Sequence, residues 1–166
     1  LFNGTNTLTV TAAETITGGS GADTITLGAV QSSGSIDLAG GADKLTLANG
    51  TNSLTVSNVE TIVGGTGNDT VVLAAAMASG SINLNGGTAD KLTLSSDGAN
   101  TITISNTETI TGGSQDDTIT LGTTLASTNG INGGAGTDSL TLFAAAHTIT
   151  LTNVTGIESI AVQAGF

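Results

Sequence analysis

Six aspartates, Asp23, Asp43, Asp69, Asp90, Asp117 and Asp138, each close a glycine turn and open a run of alternating apolar residues. The cleanest copy reads Gly64-Gly65-Thr66-Gly67-Asn68-Asp69-Thr70-Val71-Val72-Leu73, and its companions begin at Gly18, Gly40, Gly86, Gly112 and Gly133. A carboxylate beside glycine-exposed carbonyl oxygens is a donor set for a hard cation. Calcium takes about six to eight oxygens at roughly 2.3–2.6 Å from such groups. The candidate metal-binding residues are Gly19, Gly21 and Asp23; Gly41 and Asp43; Gly65, Gly67 and Asp69; Gly87 and Asp90; Gly113, Asp116 and Asp117; Gly134, Gly136 and Asp138. Asp116 is either an extra ligand or a solvated charge. Stacked one coil apart, the six form a ladder of like charges that is costly unless a cation lies between them. The competing reading has each aspartate simply accepting hydrogen bonds from turn amides.

Other chemistry finds little support. His147 is the only histidine and there is no cysteine, so neither a transition-metal site nor a nucleophilic triad can be assembled. Asp116-Asp117 resembles the paired carboxylates of polysaccharide-cleaving β-helices, but Lys44 and Lys91 with no arginine cannot hold an acidic sugar. The expectation is that the chain is not an enzyme. Glu14, Glu60, Glu108 and Glu158 recur at about twice the aspartate spacing, which predicts a solvated ladder or hydrogen bonds to an intervening coil. Asn58, Asn106 and Asn153 precede three of them and predict a turn ladder.

The elements that must position these residues are short strands. The chain of 166 residues has 25 glycines, no proline, and three phenylalanines as its only aromatic residues, yet 37% of it is hydrophobic. Such a composition builds an all-β core from layers of Leu, Ile and Val. Short and long intervals alternate: Asp23 to Asp43, Asp69 to Asp90 and Asp117 to Asp138 are short, Asp43 to Asp69 and Asp90 to Asp117 long. One glycine turn per unit at this period signals a solenoid whose coils bury their apolar faces only by stacking. The intervals predict alternating coils of about 21 and about 26 residues, the short coil with two strands and the long one with three, in a rod about 30 Å long. Predicted inward residues are Ile25, Leu27, Leu45, Leu47, Val71, Leu73, Leu92, Leu94, Ile119, Leu121, Leu140 and Leu142 on one face. Leu54, Val56, Ile102, Ile104, Ile149 and Leu151 line a second face, and Ile16, Ile62, Ile110 and Ile160 a third. Asn129 takes the place held elsewhere by Ile82, which predicts a thinner core there.

A formal charge of −11 makes nucleic acid and anionic membranes poor partners and divalent cations good ones. No apolar run is long enough for a membrane span, and no membrane insertion is expected. Beginning at Leu1, the chain reads as one solenoid domain, residues 1–166, from a longer repeat protein. Threonine rows such as Thr24, Thr70 and Thr118 suggest ice binding, but Lys44 and Lys91 interrupt that column and threonine is as common on the other faces.

The glycine-aspartate stretches resemble the calcium-binding nonapeptide G-G-x-G-x-D-x-U-x of the repeats-in-toxin (RTX) family. Gly18 to Thr26, Gly64 to Val72 and Gly133 to Thr141 match it at every fixed position. The resemblance implies a right-handed parallel β-roll or β-helix, calcium as the ligand, export from bacteria by type I secretion, and folding on meeting extracellular calcium. Threonine-rich strands with V-E-T-I segments between nonapeptides are also similar to bacterial surface-layer proteins and large adhesins. Family β-rolls place nonapeptides back to back, whereas here each coil has one, so a single column of calcium turns is expected. The reading is a secreted, calcium-binding structural module of the cell surface, associating end to end with itself or with neighbouring repeats and contacting cell-surface polysaccharide. The alternative is a calcium-dependent secretion and folding module attached to an extracellular enzyme.

Overall fold

The computed structural model describes residues 1–123, 129–143 and 153–163. Its strands are β1 (Thr7–Val10), β2 (Thr15–Thr17), β3 (Thr24–Leu27), β4 (Ser35–Asp37), β5 (Lys44–Thr46), β6 (Ser53–Ser57), β7 (Thr61–Val63), β8 (Thr70–Leu73) and β9 (Gly80–Asn83). Beyond these come β10 (Lys91–Thr93), β11 (Thr101–Ser105), β12 (Thr109–Thr111), β13 (Thr118–Leu121), β14 (Gly130–Asn132), β15 (Ser139–Phe143), β16 (Val154–Thr155) and β17 (Ser159–Gln163). Most are a Thr/Ser–Ile/Leu/Val alternation, so one face turns inward and the other keeps hydroxyls in water.

All pairing is parallel, and the chain deals its strands alternately to two sheets. Odd-numbered strands form one sheet from β1 to β17, and even-numbered strands form the other from β2 to β16. The architecture is therefore the expected all-β parallel solenoid, with two strands per coil and each residue paired to its counterpart one coil on, from Thr7 with Thr24 to Ile131 with Val154. The longer, three-strand coil is not what forms. Lys91 pairs with Thr109, so the segment read as one long coil has already closed a full turn at Thr109, and Thr101 lies on the opposite sheet beside Thr118. The longer aspartate intervals are a coil and a half.

One apolar core runs between the sheets. In the odd sheet Leu8, Ile25, Leu45, Ile62, Ile82, Ile104, Leu121 and Leu142 stand in continuous register. In the even sheet Leu54, Val71, Leu92, Ile110 and Ile131 do the same. Burying one such side chain stabilises by about 1.5–3 kcal/mol, and in a solenoid each gains this only from its neighbours above and below. The predicted inward residues among those described are buried, with one exception: Ile160 is 41% exposed because β17 is the outermost strand of its sheet. Their grouping is corrected, since Ile25 and Val71, expected on one face, lie on opposite sheets. The same split divides Thr24 and Thr118 from Thr70 and leaves no single threonine face. The core does not thin at Asn129, because Ile131, 1% exposed, fills the layer beside Ile110. His147, Ile149 and Leu151 lie outside the described residues.

The corners bring coils close together. A Cβ at Gly18 would overlap the Leu38 carbonyl oxygen and one at Gly64 that of Leu84, so glycine is required where backbone rests on backbone. Asn58 and Asn106 hold left-handed corners at φ of 51° and 49°. The third such corner, two residues before Glu158, is Gly156 at φ 57°, not Asn153, so the predicted asparagine ladder is corrected there.

Candidate cation sites

Because two aspartate turns follow one another on one sheet before the next two appear on the other, the six candidates do not form one column. Asp23 and Asp43 precede β3 and β5, Asp69 and Asp90 precede β8 and β10, and Asp117 and Asp138 precede β13 and β15. They make three pairs on alternating edges of the solenoid, and the single-column expectation is corrected.

Each pair belongs to a larger unit with one residue from each of four successive coils. In the middle unit the Asn52 main-chain N–H donates to Asp69 Oδ1 at 2.9 Å, the Asp69 N–H to Asp90 Oδ1 at 2.6 Å, and the Asp90 N–H to Glu108 Oε2 at 2.8 Å. Asn6, Asp23, Asp43 and Glu60 repeat this at 2.9, 2.6 and 2.8 Å. Asn100, Asp117, Asp138 and Glu158 repeat it at 2.8, 2.7 and 2.7 Å. In every unit a side chain accepts the main-chain N–H of the coil before it. The turn-amide reading of the aspartates is thereby seen directly, and so is the bond of Glu60, Glu108 and Glu158 to an intervening coil.

The four members are not equally satisfied. Asn52 Nδ2 donates to the carbonyl oxygens of Ala48 and Gly50 and to Asp69 Oδ1, at 2.8, 2.9 and 2.8 Å. Asn6 Nδ2 does so to Phe2, Gly4 and Asp23 Oδ1, and Asn100 Nδ2 to Ser95, Gly98 and Asp117 Oδ1. The first aspartate of each pair thus has amide donors on Oδ1, and its Oδ2 faces the N–H of Gly19, Gly65 or Gly113. The second has a main-chain donor on Oδ1 only. Oδ2 of Asp43, Asp90 and Asp138 is buried with no hydrogen-bond partner, and these residues are no more than 1% exposed.

A buried carboxylate in that state resists ionisation. Burial pushes Asp90 up to about 6, reinforced by the negative charges of Glu108 and Asp69. Asp43 and Asp138 shift upward for the same first reason. Asp23 moves the other way, because the Asn6 side chain donates to its charged form.

What the second aspartate lacks is positive charge, and glycine keeps the space around it free of side chains. A Cβ at Gly87 would stand 2.6 and 2.7 Å from Oδ1 and Oδ2 of Asp90 and 2.7 Å from the Gly67 carbonyl oxygen. A Cβ at Gly41 would meet the Gly21 carbonyl oxygen at 2.6 Å and Asp43 Oδ1 at 2.9 Å. In the third unit a Cβ at Gly136 would meet the Gln115 carbonyl oxygen at 2.8 Å, and one at Gly133 would meet Asp138 Oδ2 at 2.6 Å. Gly67 and Gly136 have φ of 109° and 125°, a conformation that side chains other than glycine rarely take. Among the described residues no three carboxylate or imidazole groups converge on one point. The oxygens that come together are instead the carboxylate of the second aspartate and a turn carbonyl of the preceding coil, Gly67 for Asp90 and Gly21 for Asp43, an all-oxygen arrangement that suits calcium. Asp116 lies apart from it on the surface, where Oδ1 accepts the Thr137 N–H at 2.7 Å.

The model of the RTX calcium-binding nonapeptide repeat family, four copies long, matches residues 8–29, 56–73 and 105–123. Those three segments carry RTX calcium-binding nonapeptide repeats. Each matched segment holds the first aspartate of a pair, Asp23, Asp69 or Asp117, and the second lies outside it. Gly133 to Thr141, complete in its fixed positions, is not among the matched residues. No curated protein and no solved structure matches the chain.

Sequence reasoning alone does not place Asn6, Asn52 and Asn100 in these four-coil units. Their signal is nonetheless present as a constant spacing: Asn6 to Asp23, Asn52 to Asp69 and Asn100 to Asp117 are the same interval of 17.

Proposed function

We propose that this RTX solenoid is a secreted structural module of a bacterial surface-layer protein or adhesin, non-catalytic, whose coils are tied together by calcium. The supporting observation is the stranded oxygen of Asp43, Asp90 and Asp138, repeated three times in a chain of charge −11. A cation between adjacent coils neutralises two carboxylates and contributes binding energy that only stacked coils can collect. The role is thus mechanical: calcium outside the cell fixes a rod, and the rod's end strands are extended by further coils of the same chain or by another copy.

Antibody labelling of intact cells of the producing organism, before and after washing with a calcium chelator, tests the proposal. Label on intact cells that is lost or released on chelation is the expected result. Protein confined to the cytoplasm overturns it. A reading frame that joins the segment to a catalytic domain rather than to further coils would favour the secretion-module alternative.

A further inference from the structure

The asparagine of each unit sits in a turn built like those of the aspartates. Asn52 Nδ2 reaches the carbonyl oxygens two and four residues back, Gly50 and Ala48, and the carboxylate of the following coil, Asp69. Asn6 approaches Gly4, Phe2 and Asp23 at the same spacing, and Asn100 approaches Gly98, two residues back, Ser95, five back, and Asp117. One coil later the residue at this position is an aspartate, with no side-chain N–H to offer. The carboxylate it faces in the following coil, Asp43, Asp90 or Asp138, takes only a main-chain N–H on Oδ1, and its Oδ2 has no partner. An amide group and a bound cation do the same electrostatic work, presenting positive charge to two inward carbonyls and a carboxylate.

We infer that Asn6, Asn52 and Asn100 are stop residues, whose side-chain amides replace a cation and limit each four-coil unit to one divalent-cation site, between its two aspartate coils. The inference rests on the calcium reading above. It goes beyond it by fixing the number at three and by placing the middle site on the opposite edge from the other two. Glu60, Glu108 and Glu158 close the far side of each unit by accepting the N–H of the second aspartate.

The test counts ions. The full chain, stripped with chelator, is titrated with calcium chloride and followed by calorimetry and native mass spectrometry. Wild type is expected to bind three ions tightly. Asn52→Asp removes the amide and supplies a carboxylate of the same shape, so it should bind four and need calcium to regain its stability. Asp69→Asn should bind two and stay folded in chelator, because its new amide can donate to Gly67, two residues back, and to Asp90 in the following coil, as Asn52 donates to Gly50 and Asp69. Asn52→Ala, which removes the donor without adding a ligand, should keep three ions and lose stability with or without calcium. An Asn52→Asp chain that still binds three, or fails to fold in calcium, overturns the stop-residue assignment and leaves calcium binding itself intact. A wild-type count other than three, with calcium bound, does the same. Absence of binding to the wild type overturns both.

Discussion

The main-chain N–H of Asp69 donates to Oδ1 of Asp90 across one coil at 2.6 Å, and the other oxygen of that buried carboxylate accepts nothing. The bond orients the side chain while leaving most of its charge uncompensated. Leaving such a group unsatisfied costs about 1–3 kcal/mol, more when it is charged, and the arrangement occurs three times.

Calcium should therefore raise the melting temperature steeply. At a free concentration about 100 times the dissociation constant each site adds roughly 2.7 kcal/mol. Circular dichroism melts in chelator and in millimolar calcium make the comparison; coincident melts would refute the calcium role.

Without calcium the protein should be more stable at about pH 5 than at about pH 7.5. Asp90 has a folded pKa of about 6 against an ordinary 3.8, so between those values the folded chain holds a proton that the unfolded chain has lost. Stability falls as pH rises through that window and is level above it, and Asp43 and Asp138 act in the same direction. Asp23, shifted downward, loses its contribution only at lower pH. Melts in chelator across this range check the sign, and a monotonic rise in stability toward pH 7.5 would contradict it.

Ile62→Ala should cost about 2–5 kcal/mol, since its side chain is fully enclosed between Leu45 and Ile82. Ile160→Ala, on the outermost strand, should cost close to the roughly 0.5 kcal/mol of a surface change. Urea denaturation of both variants in calcium ranks them, and equal losses would show that β17 is covered in solution.

β17 also exposes Val162 at 68%, and one side of its hydrogen-bonding ladder has no partner strand among the described residues. Such an edge invites addition of another strand. Light scattering of the segment in calcium over a concentration series should show growth in mass, reduced by Val162→Lys; a constant monomer mass would remove this route to assembly.

The strands and their inward residues are legible in the sequence because Thr-Ile-Thr-Leu alternation is a local signal that burial does not alter. The coil is not. Asp69 and Asp90, one coil apart, share an edge, whereas Asp43 and Asp69, only a few residues further apart, sit on opposite edges. Nothing local distinguishes these intervals; only the pairing of Lys91 with Thr109 does. The acidic turns stand out by composition, but Asn52 does not, because its amide matters only through Ala48, Gly50 and Asp69, which the fold brings together.

The unit marked by Glu14, Glu60, Glu108 and Glu158 advances five strands at a time, before β2, β7, β12 and β17, which is an odd number of half-revolutions. Slippage or recombination that inserts or deletes one whole unit preserves every contact inside it and yet swings all later coils through half a turn. A surface carried downstream would then face the opposite way. Only changes by an even count keep a distal face pointing where it was, so the length of such an array also sets the direction in which its far end looks.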